Sequence, residues 1–222
     1  MMDEFMRLNA LSTGRDKLLR LWQYSCRFYW ASLEKKEENK ELITKLKDLD
    51  ALLGTARAFL RFGRGVDMLY ANSSGITVHN SLSASVISFS KLSASLSLLV
   101  DHIALLKKTG LLKGDQKKWT YLSNQFLFLS SFSCLLRDII EIHELYHYQS
   151  RNKSVYTSSQ KLLASHRALS VDTIKNFCDT LIVLESLGHC NLSPRRVSII
   201  GAISSIASIL QMINPRYRMV LS

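Results

Sequence analysis

The sequence predicts an all-α, membrane-associated protein, and three observations support this fold class. Only two prolines occur, Pro194 and Pro215, so the chain before them is free to form helices. Several segments repeat their apolar residues with the period of an amphipathic helix. Residues 197–213 form a seventeen-residue tract that is uncharged and mostly apolar. We therefore expect amphipathic N-terminal helices and one or two hydrophobic membrane helices in the centre and at the C-terminal end.

The first predicted helix covers residues 5–33. Its leucines and aromatic residues follow the helical period from Leu18 to Tyr29, and Gly14 indicates a break or a kink near the start. The charged residues 34–41 then predict a solvated connector or the polar start of the next helix.

The second segment, residues 42–70, has the clearest amphipathic pattern. Its leucines recur in alternating steps of four and three residues, which places them on one face of a helix. Its arginines recur with the same spacing. Such a helix can lie in a bilayer surface, with its apolar face inserted and its guanidinium groups on lipid phosphates. The alternative is a surface helix whose leucines join a protein core. The predicted lipid-binding residues are Arg57, Arg61, Arg64, Leu46, Leu49, Leu53, Leu60 and Phe62.

Two apolar segments follow in the centre of the chain. Residues 82–106 are long enough to cross a bilayer, but Lys91 lies within them, where a lysine costs about 2.5–3.5 kcal/mol on insertion scales. A span therefore requires that Lys91 faces another helix or lies off centre. The basic loop 107–118 leads to residues 119–136, which carry no charge and predict a span, a surface helix or a core helix.

A further apolar helix is predicted over about 173–187. The residues before it, 150–170, are polar and predict a connection. Asp172 is a favourable N-cap residue for this helix, and Gly188 follows its last apolar residues.

The C-terminal tract 197–213 is the strongest candidate for a membrane span. As a helix it is about 25 Å long, which is near the roughly 30 Å of a hydrocarbon core. The arginines that flank it can reach the headgroups at both ends. Gly201 and Ser205 form a small-xxx-small pair that lets another helix approach closely. A buried helix of a soluble bundle is the alternative interpretation.

Charge and cysteine content limit the function classes. The chain has 29 basic and 18 acidic residues, and its net charge of +11 suits the phosphates of a membrane or a nucleic acid. Its basic and aromatic residues form no RNA-binding signature, so we expect lipid rather than nucleic acid as the partner. The four cysteines form no CxxC pair, which favours a reducing compartment. The N-terminal residues lack the apolar region of a secretory signal.

His143, Glu144 and His147 match the HExxH pattern of zinc hydrolases. On a helix the two histidines share a face and can bind Zn²⁺, while Glu144 acts as the general base. The pattern is short, however, and no extension of it supplies a third ligand. We therefore predict that the protein is not an enzyme and has no cofactor, and a zinc hydrolase is the last of the alternatives.

Short motifs occur along most of the chain in an order typical of one family. They are Gly14–Leu18 with Gln23 and Tyr24; Arg57, Phe59 and Arg61–Gly63; Leu99–Ile103 running to Gly110; Arg137 with Asp138; and Gly201 with Ser204–Ile206 ahead of Pro215. Taken together, these motifs resemble the peroxin-11 family, whose members elongate and proliferate peroxisomes.

The resemblance implies a helical protein of the peroxisomal membrane with both termini in the cytosol. Its amphipathic helix inserts into the cytosolic leaflet, expands that leaflet and bends the membrane, which promotes peroxisome proliferation and fission. The implied partners are an anionic phospholipid membrane, further copies of the chain in a homo-oligomer, and dynamin-related fission machinery.

We expect three regions along the chain. They are a cytosolic amphipathic-helix region at 1–80, a central helical region at 81–196, and a C-terminal membrane helix with a short basic tail at 197–222. Two spans with cytosolic termini place the basic loop 107–118 in the lumen, against the positive-inside tendency.

A pore is the alternative function class. In that hypothesis the apolar segments 82–106, 119–136 and 197–213 associate into a channel for small metabolites. Lys91 then lines a polar path through the membrane.

Overall fold

The structure is a computed structural model that describes residues 6, 8–34, 40–74, 82–151, 159–214 and 217. Within this part of the chain the regular elements are helices and there is no strand, which confirms the predicted all-α class. The main helices are α1 (Ser12–Leu33), α2 (Lys40–Leu60), α3 (Arg64–Ser74), α4 (Leu82–Lys108), α5 (Gln116–Arg151), α6 (Ser159–Ser186) and α7 (Pro194–Ile213).

The N-terminal break lies at Leu11 rather than at Gly14. Leu11 has an extended backbone, with φ −87° and ψ 132°, and α1 begins after it. Gly14 lies inside α1 and is buried, because the Leu8 carbonyl packs against it so closely that a methyl group there would overlap the carbonyl oxygen. The glycine therefore permits a close contact instead of ending the helix.

The predicted single helix 42–70 is two helices in the structure. α2 ends at Leu60, and α3 begins at Arg64. Between them Gly63 has φ 79°, a left-handed conformation that glycine adopts without steric cost. This glycine therefore forms the turn between the two helices.

The predicted start of the helix at Asp172 was wrong. α6 begins at Ser159, and Asp172 is buried in its middle, where its carboxylate accepts hydrogen bonds from Lys175 at 2.6 Å and Gln211 at 2.9 Å. The local sequence does not distinguish an aspartate that pairs with another helix from one that caps its own helix. The predicted end is close to the observed one, since α6 ends before Gly188, which has φ 80°.

Neighbouring helices pack side by side along the fold. α1 packs on α2, α3 on α4, α4 on α5, α5 on α6, and α6 on α7, and α1 also packs on α7. The helix that begins the described fold and the helix that ends it are therefore neighbours.

The helices turn polar residues inward and apolar residues outward. Among the described residues, nineteen polar or charged residues but only ten hydrophobic ones are buried. The largest side chains with almost no exposure are Asp138 and four serines. This distribution is the reverse of a soluble core, whereas small polar residues at helix contacts and apolar residues outside are typical of helices in lipid. The exposed residues of α7 from Val197 onward illustrate it, because all of them are apolar: Ile199, Ile203, Ile206, Leu210 and Ile213.

The predicted spans 82–106 and 197–213 coincide with α4 and α7. Of the described helices, these two are long and apolar enough to cross a membrane, with mean hydropathies of 1.4 and 1.6. In the apolar 18-residue stretch of each helix, only 22% of α4 and 39% of α7 are buried inside the protein. A core helix of a soluble bundle would be mostly buried, so this exposure favours the membrane interpretation.

Candidate membrane-interaction surface

The predicted lipid-binding segment presents a row of apolar side chains on its outer face. Leu49 is 41% exposed and Phe62 is 62% exposed, while Leu46, Leu53 and Leu60 are half-buried. Exposed apolar residues of α2 and α3 outside the predicted set are Leu42, Leu52, Phe59, Val66 and Tyr70.

The inner face of α2 is polar, and α1 covers it. Asp50, Gly54 and Arg57 follow one another in steps of four and three, which places them on one side of the helix. Gln23 of α1 lies against this side: its Nε2 donates to a carboxylate oxygen of Asp50 at 2.9 Å, and it leaves little room for a side chain at Gly54. Because this face meets protein, the leucine-rich face of α2 is left pointing outward.

Arg57 faces the protein rather than the surroundings. Its Nε lies 3.1 Å from Oδ1 of Asp16, and another guanidinium nitrogen donates to Gln23 at 2.7 Å. The side chains of Arg57 and Asp16 are only 14% and 5% exposed. Burial raises the pKa of Asp16, but Arg57 and Arg61 outweigh burial and lower this pKa below its usual 3.8. The pair is therefore ionised at neutral pH.

Arg61 is also paired, whereas Arg64 is not. The Arg61 guanidinium lies 3.2 Å from the carboxylate of Asp101 in α4. The backbone carbonyl oxygen of Arg61 lies 3.0 Å from Nε2 of His102. The ring of Phe62 lies 4.7 Å from the His102 ring. The half-buried guanidinium of Arg64 has no hydrogen-bond or ion-pair partner among the described residues. Of the three predicted arginines, Arg64 is the one available to a lipid phosphate in this conformation.

The polar contacts that hold α1 on α2 were not predicted from the sequence. Asp50 accepts from Gln23 at 2.9 Å and from Arg27 at 2.8 and 3.0 Å. A signal for this interface exists in the sequence, because Asp16 and Gln23 are seven residues apart, as are Asp50 and Arg57. Seven residues are close to two helical turns, so each pair lies on one face of its helix.

Gly201, the first residue of the small-xxx-small pair of α7, contacts α1 of the same chain. Gly201 is buried, and a methyl group built there would lie 2.5 Å from Cδ2 of Tyr24. Ser205 is also buried, and its hydroxyl donates to the Gly201 carbonyl at 2.7 Å within α7. Beside this contact, Arg20 of α1 forms an ion pair with Asp179 of α6. The absence of a side chain at Gly201 thus lets an aromatic ring of α1 approach the backbone of α7.

The residues of the alternative functions lie apart from these contacts. His143 is exposed near the C-terminal end of α5, and the side chain of His147 lies outside the part of the chain that the structure describes. No three His, Cys, Asp or Glu residues in the described part are placed to hold a metal ion. Lys91 is exposed on the outer surface of α4 rather than between the helices of one chain, so the condition that a span of α4 has to meet is an off-centre position. Lys91 lies about 6 Å from the middle of α4.

Comparison with known proteins shows a family match over most of the chain. The model of the family Peroxisomal biogenesis factor 11 (PEX11) matches residues 2–213. Peroxisomal membrane protein 11A of Bos taurus and peroxisomal membrane protein 11B of Homo sapiens are each 27% identical, over 98% of this chain and 99% of their own. Peroxisomal membrane protein PMP30B of Candida boidinii is 26% identical over 89% of this chain and 88% of its own. No solved structure matches. With its apolar exterior, its two candidate spans and this match, the chain belongs to the peroxisomal biogenesis factor 11 family.

Proposed function

We propose that this protein resides in the peroxisomal membrane, inserts α2 and α3 into the cytosolic leaflet, and thereby bends and elongates the membrane before proliferation and fission. The observation that carries the proposal is the row of exposed apolar side chains on α2 and α3. These residues stay exposed although the opposite face of α2 packs on α1, so the segment is amphipathic in its folded state and not only in its sequence.

The apolar area on this face is large enough for reversible insertion. Leu49, Leu52, Phe59 and Phe62 are 41%, 64%, 56% and 62% exposed. Full burial of such side chains contributes about 1.5–3 kcal/mol each, so their exposed shares together amount to about 3–7 kcal/mol. This is less than the anchoring by a full span, and it suits a wedge that α4 and α7 hold at the membrane.

The ion pairs divide the predicted arginines into two roles. Arg64 is the candidate for a lipid phosphate. Arg57 and Arg61 tie α2 to Asp16 of α1 and Asp101 of α4, so the inserted face is attached to a fixed platform. Binding of these two arginines to headgroups requires that α2 first separates from those carboxylates.

The partners in this proposal follow from charge and family membership. The net charge of +11 suits an anionic phospholipid membrane. Assembly with further copies of the chain, recruitment of dynamin-related fission machinery and cytosolic termini rest on the family alone.

The proposal is tested in cells that carry a fluorescent marker of the peroxisomal matrix. We expect the wild-type chain to localise to peroxisomes and elongate them. Phe59→Asp places a charge on the inserting face, so this variant should localise without elongating, while the matched control Phe59→Leu retains apolar area and should remain active. Elongation by Phe59→Asp at the wild-type level would mean that insertion of α2 is not the bending step.

A further inference from the structure

The outer face of α5 is apolar between Trp119 and Ile142, and the structure describes every residue of this stretch. These 24 residues extend over about 36 Å as a helix, enough to cross a hydrocarbon core of roughly 30 Å. Apart from Gln125 near the start, every exposed residue of the stretch is apolar. The exposed apolar residues are Tyr121, Leu122, Leu127, Leu129, Phe132, Leu136, Ile139 and Ile142.

The charged residues of this stretch point inward and have partners. The side chains of Arg137, Asp138 and Glu141 are 12%, 0% and 19% exposed. Asp138 accepts a hydrogen bond from Asn176 of α6 at 2.8 Å. Arg137 forms ion pairs with Asp138 and with Asp172 of α6. Charges that face other helices and are paired are the kind that a membrane helix tolerates.

Serines join α5 to the central part of α4. The Ser90 hydroxyl donates to the Ser130 carbonyl at 3.0 Å. Two turns further along α4, the Ser97 hydroxyl donates to the Ser123 carbonyl at 2.9 Å, and the Ser123 hydroxyl donates back to the Ser97 carbonyl at 2.9 Å. The helices are therefore antiparallel, and over about 10 Å they lie at the same depth. If the middle of α4 lies in the bilayer, residues 123–130 of α5 lie there too.

We propose that α5 also crosses the peroxisomal membrane, as the second half of a hairpin with α4, and that lipid acyl chains cover its outer face. The inference rests on the membrane placement in the proposed function. Three features identify the lipid: the length of the face, its lack of exposed charge, and its position beside α4. The exposed residues of α4 there are the apolar Phe89 and Leu92 and, between them, Lys91. Keeping both termini on one side then requires one more crossing besides α4, α5 and α7, and both α1 and α6 pack along α7.

Average hydropathy does not select α5 because it counts both faces of the helix together. Arg137, Asp138 and Glu141 lower the average although they face inward, and Asn124 and Gln125 near the start of the stretch lower it further. Only the packing of α5 on α4 and α6 shows which of its residues face protein and which face outward.

Cysteine labelling on isolated, intact peroxisomes tests the crossing. The four native cysteines are replaced by serine, and single cysteines are introduced by Lys117→Cys and Glu144→Cys, at exposed positions near the two ends of α5. We expect a membrane-impermeant maleimide to label one of these variants before detergent is added and the other only afterwards. Labelling of both before detergent, or of both only after it, overturns the proposal. Lys113→Cys is the matched control, because Lys113 lies in the loop just before α5, on the same side of the membrane as Lys117, and must label like it.

A third position tests the lipid contact itself. Phe132 lies in the middle of α5 and is 45% exposed, so in water Phe132→Cys should label as readily as Glu144→Cys. We expect it to react with the maleimide from neither side and only after denaturation in dodecyl sulfate. Rapid labelling of Phe132→Cys in membranes refutes lipid coverage. If alkaline carbonate releases the whole protein from membranes, the proposed function fails as well, whereas same-side labelling of a retained protein overturns only the crossing of α5.

Discussion

The contact of Tyr24 with Gly201 predicts that Gly201→Ala destabilises the protein, against the usual effect of this substitution. The φ of Gly201 is not positive, so alanine suits its backbone, and in a helix interior alanine is normally better than glycine by about 0.5–1 kcal/mol. Here the new methyl group would lie 2.5 Å from Cδ2 of Tyr24, whereas real Cβ atoms almost never come closer than 3.0 Å to other atoms. α1 must shift by at least half an ångström, or Tyr24 must rotate.

We expect this overpacking to cost about 1–3 kcal/mol and to lower the Tm by roughly 2–12 °C in a chain of this size. The assay is thermal denaturation of purified protein in detergent. Tyr24→Ala alone should also be destabilising, because a ring that is only 7% exposed is lost.

The double variant provides the decisive comparison. Without the ring, Gly201→Ala should no longer be harmful and should raise the Tm of Tyr24→Ala slightly, as for a glycine in an open helix position. The reasoning is refuted if Gly201→Ala raises the Tm of the wild type, or if its penalty is the same with and without Tyr24.

Three further predictions concern the polar contacts between helices. Asp50→Ala removes an acceptor shared by three α1 side chains, those of Gln23, Arg27 and Trp30, and should cost about 2–4 kcal/mol of unfolding free energy; an unchanged Tm would contradict the contacts of Asp50. Asp16→Asn should lower the Tm at neutral pH. The pKa of Asp16 is lower in the folded chain than its usual 3.8. The ionised Asp16 carboxylate therefore stabilises the fold fully above pH 3.8, and this stabilisation is lost as the pH falls through the folded-state pKa. The difference in Tm between wild type and Asp16→Asn should therefore disappear only in strong acid, and its loss near pH 6 would exclude the ion pair. Ser97→Leu should overpack the α4–α5 contact, which lowers the unfolding free energy by about 1–3 kcal/mol and reduces the yield of folded protein. Phe89→Leu on the outer face of α4 should leave this yield unchanged, and equal yields of the two variants would contradict the serine contact.

The helices themselves follow from sequence periodicity, but several of their ends do not. The leucine pattern of residues 42–70 predicts helical structure correctly, yet only the left-handed φ of Gly63 divides the segment into α2 and α3. Asp172 shows the same limit. Its partners Gln211 and Arg137 are 39 and 35 residues away, so its own neighbours in sequence do not distinguish a buried ion pair from a helix cap.

The candidate membrane-interaction surface could likewise be predicted from the sequence only in part. The apolar face of α2 could be predicted, because helical spacing alone places Leu49, Leu53 and Leu60 together. The pairing of Arg57 could not, because its partner Asp16 is 41 residues away on another helix. An arginine beside leucines looks the same in sequence whether it meets a lipid phosphate or a carboxylate, and only the antiparallel packing of α1 on α2 decides between them.

The position of α1 against α7 has a consequence for biosynthesis. Tyr24 leaves the ribosome 177 residues before Gly201, which at 5–20 residues per second means a delay of about 9–35 s. α7 is the last helix of the described part of the chain, so its residues are synthesised long after those of α1. During this delay Arg20 lacks Asp179, and the groove beside Gly201 that receives the Tyr24 ring does not yet exist. The contact of α1 with α7 therefore forms only once α7 has been synthesised, and a nascent or truncated chain that stops before α6 carries an N-terminal segment whose buried Arg20 has no partner.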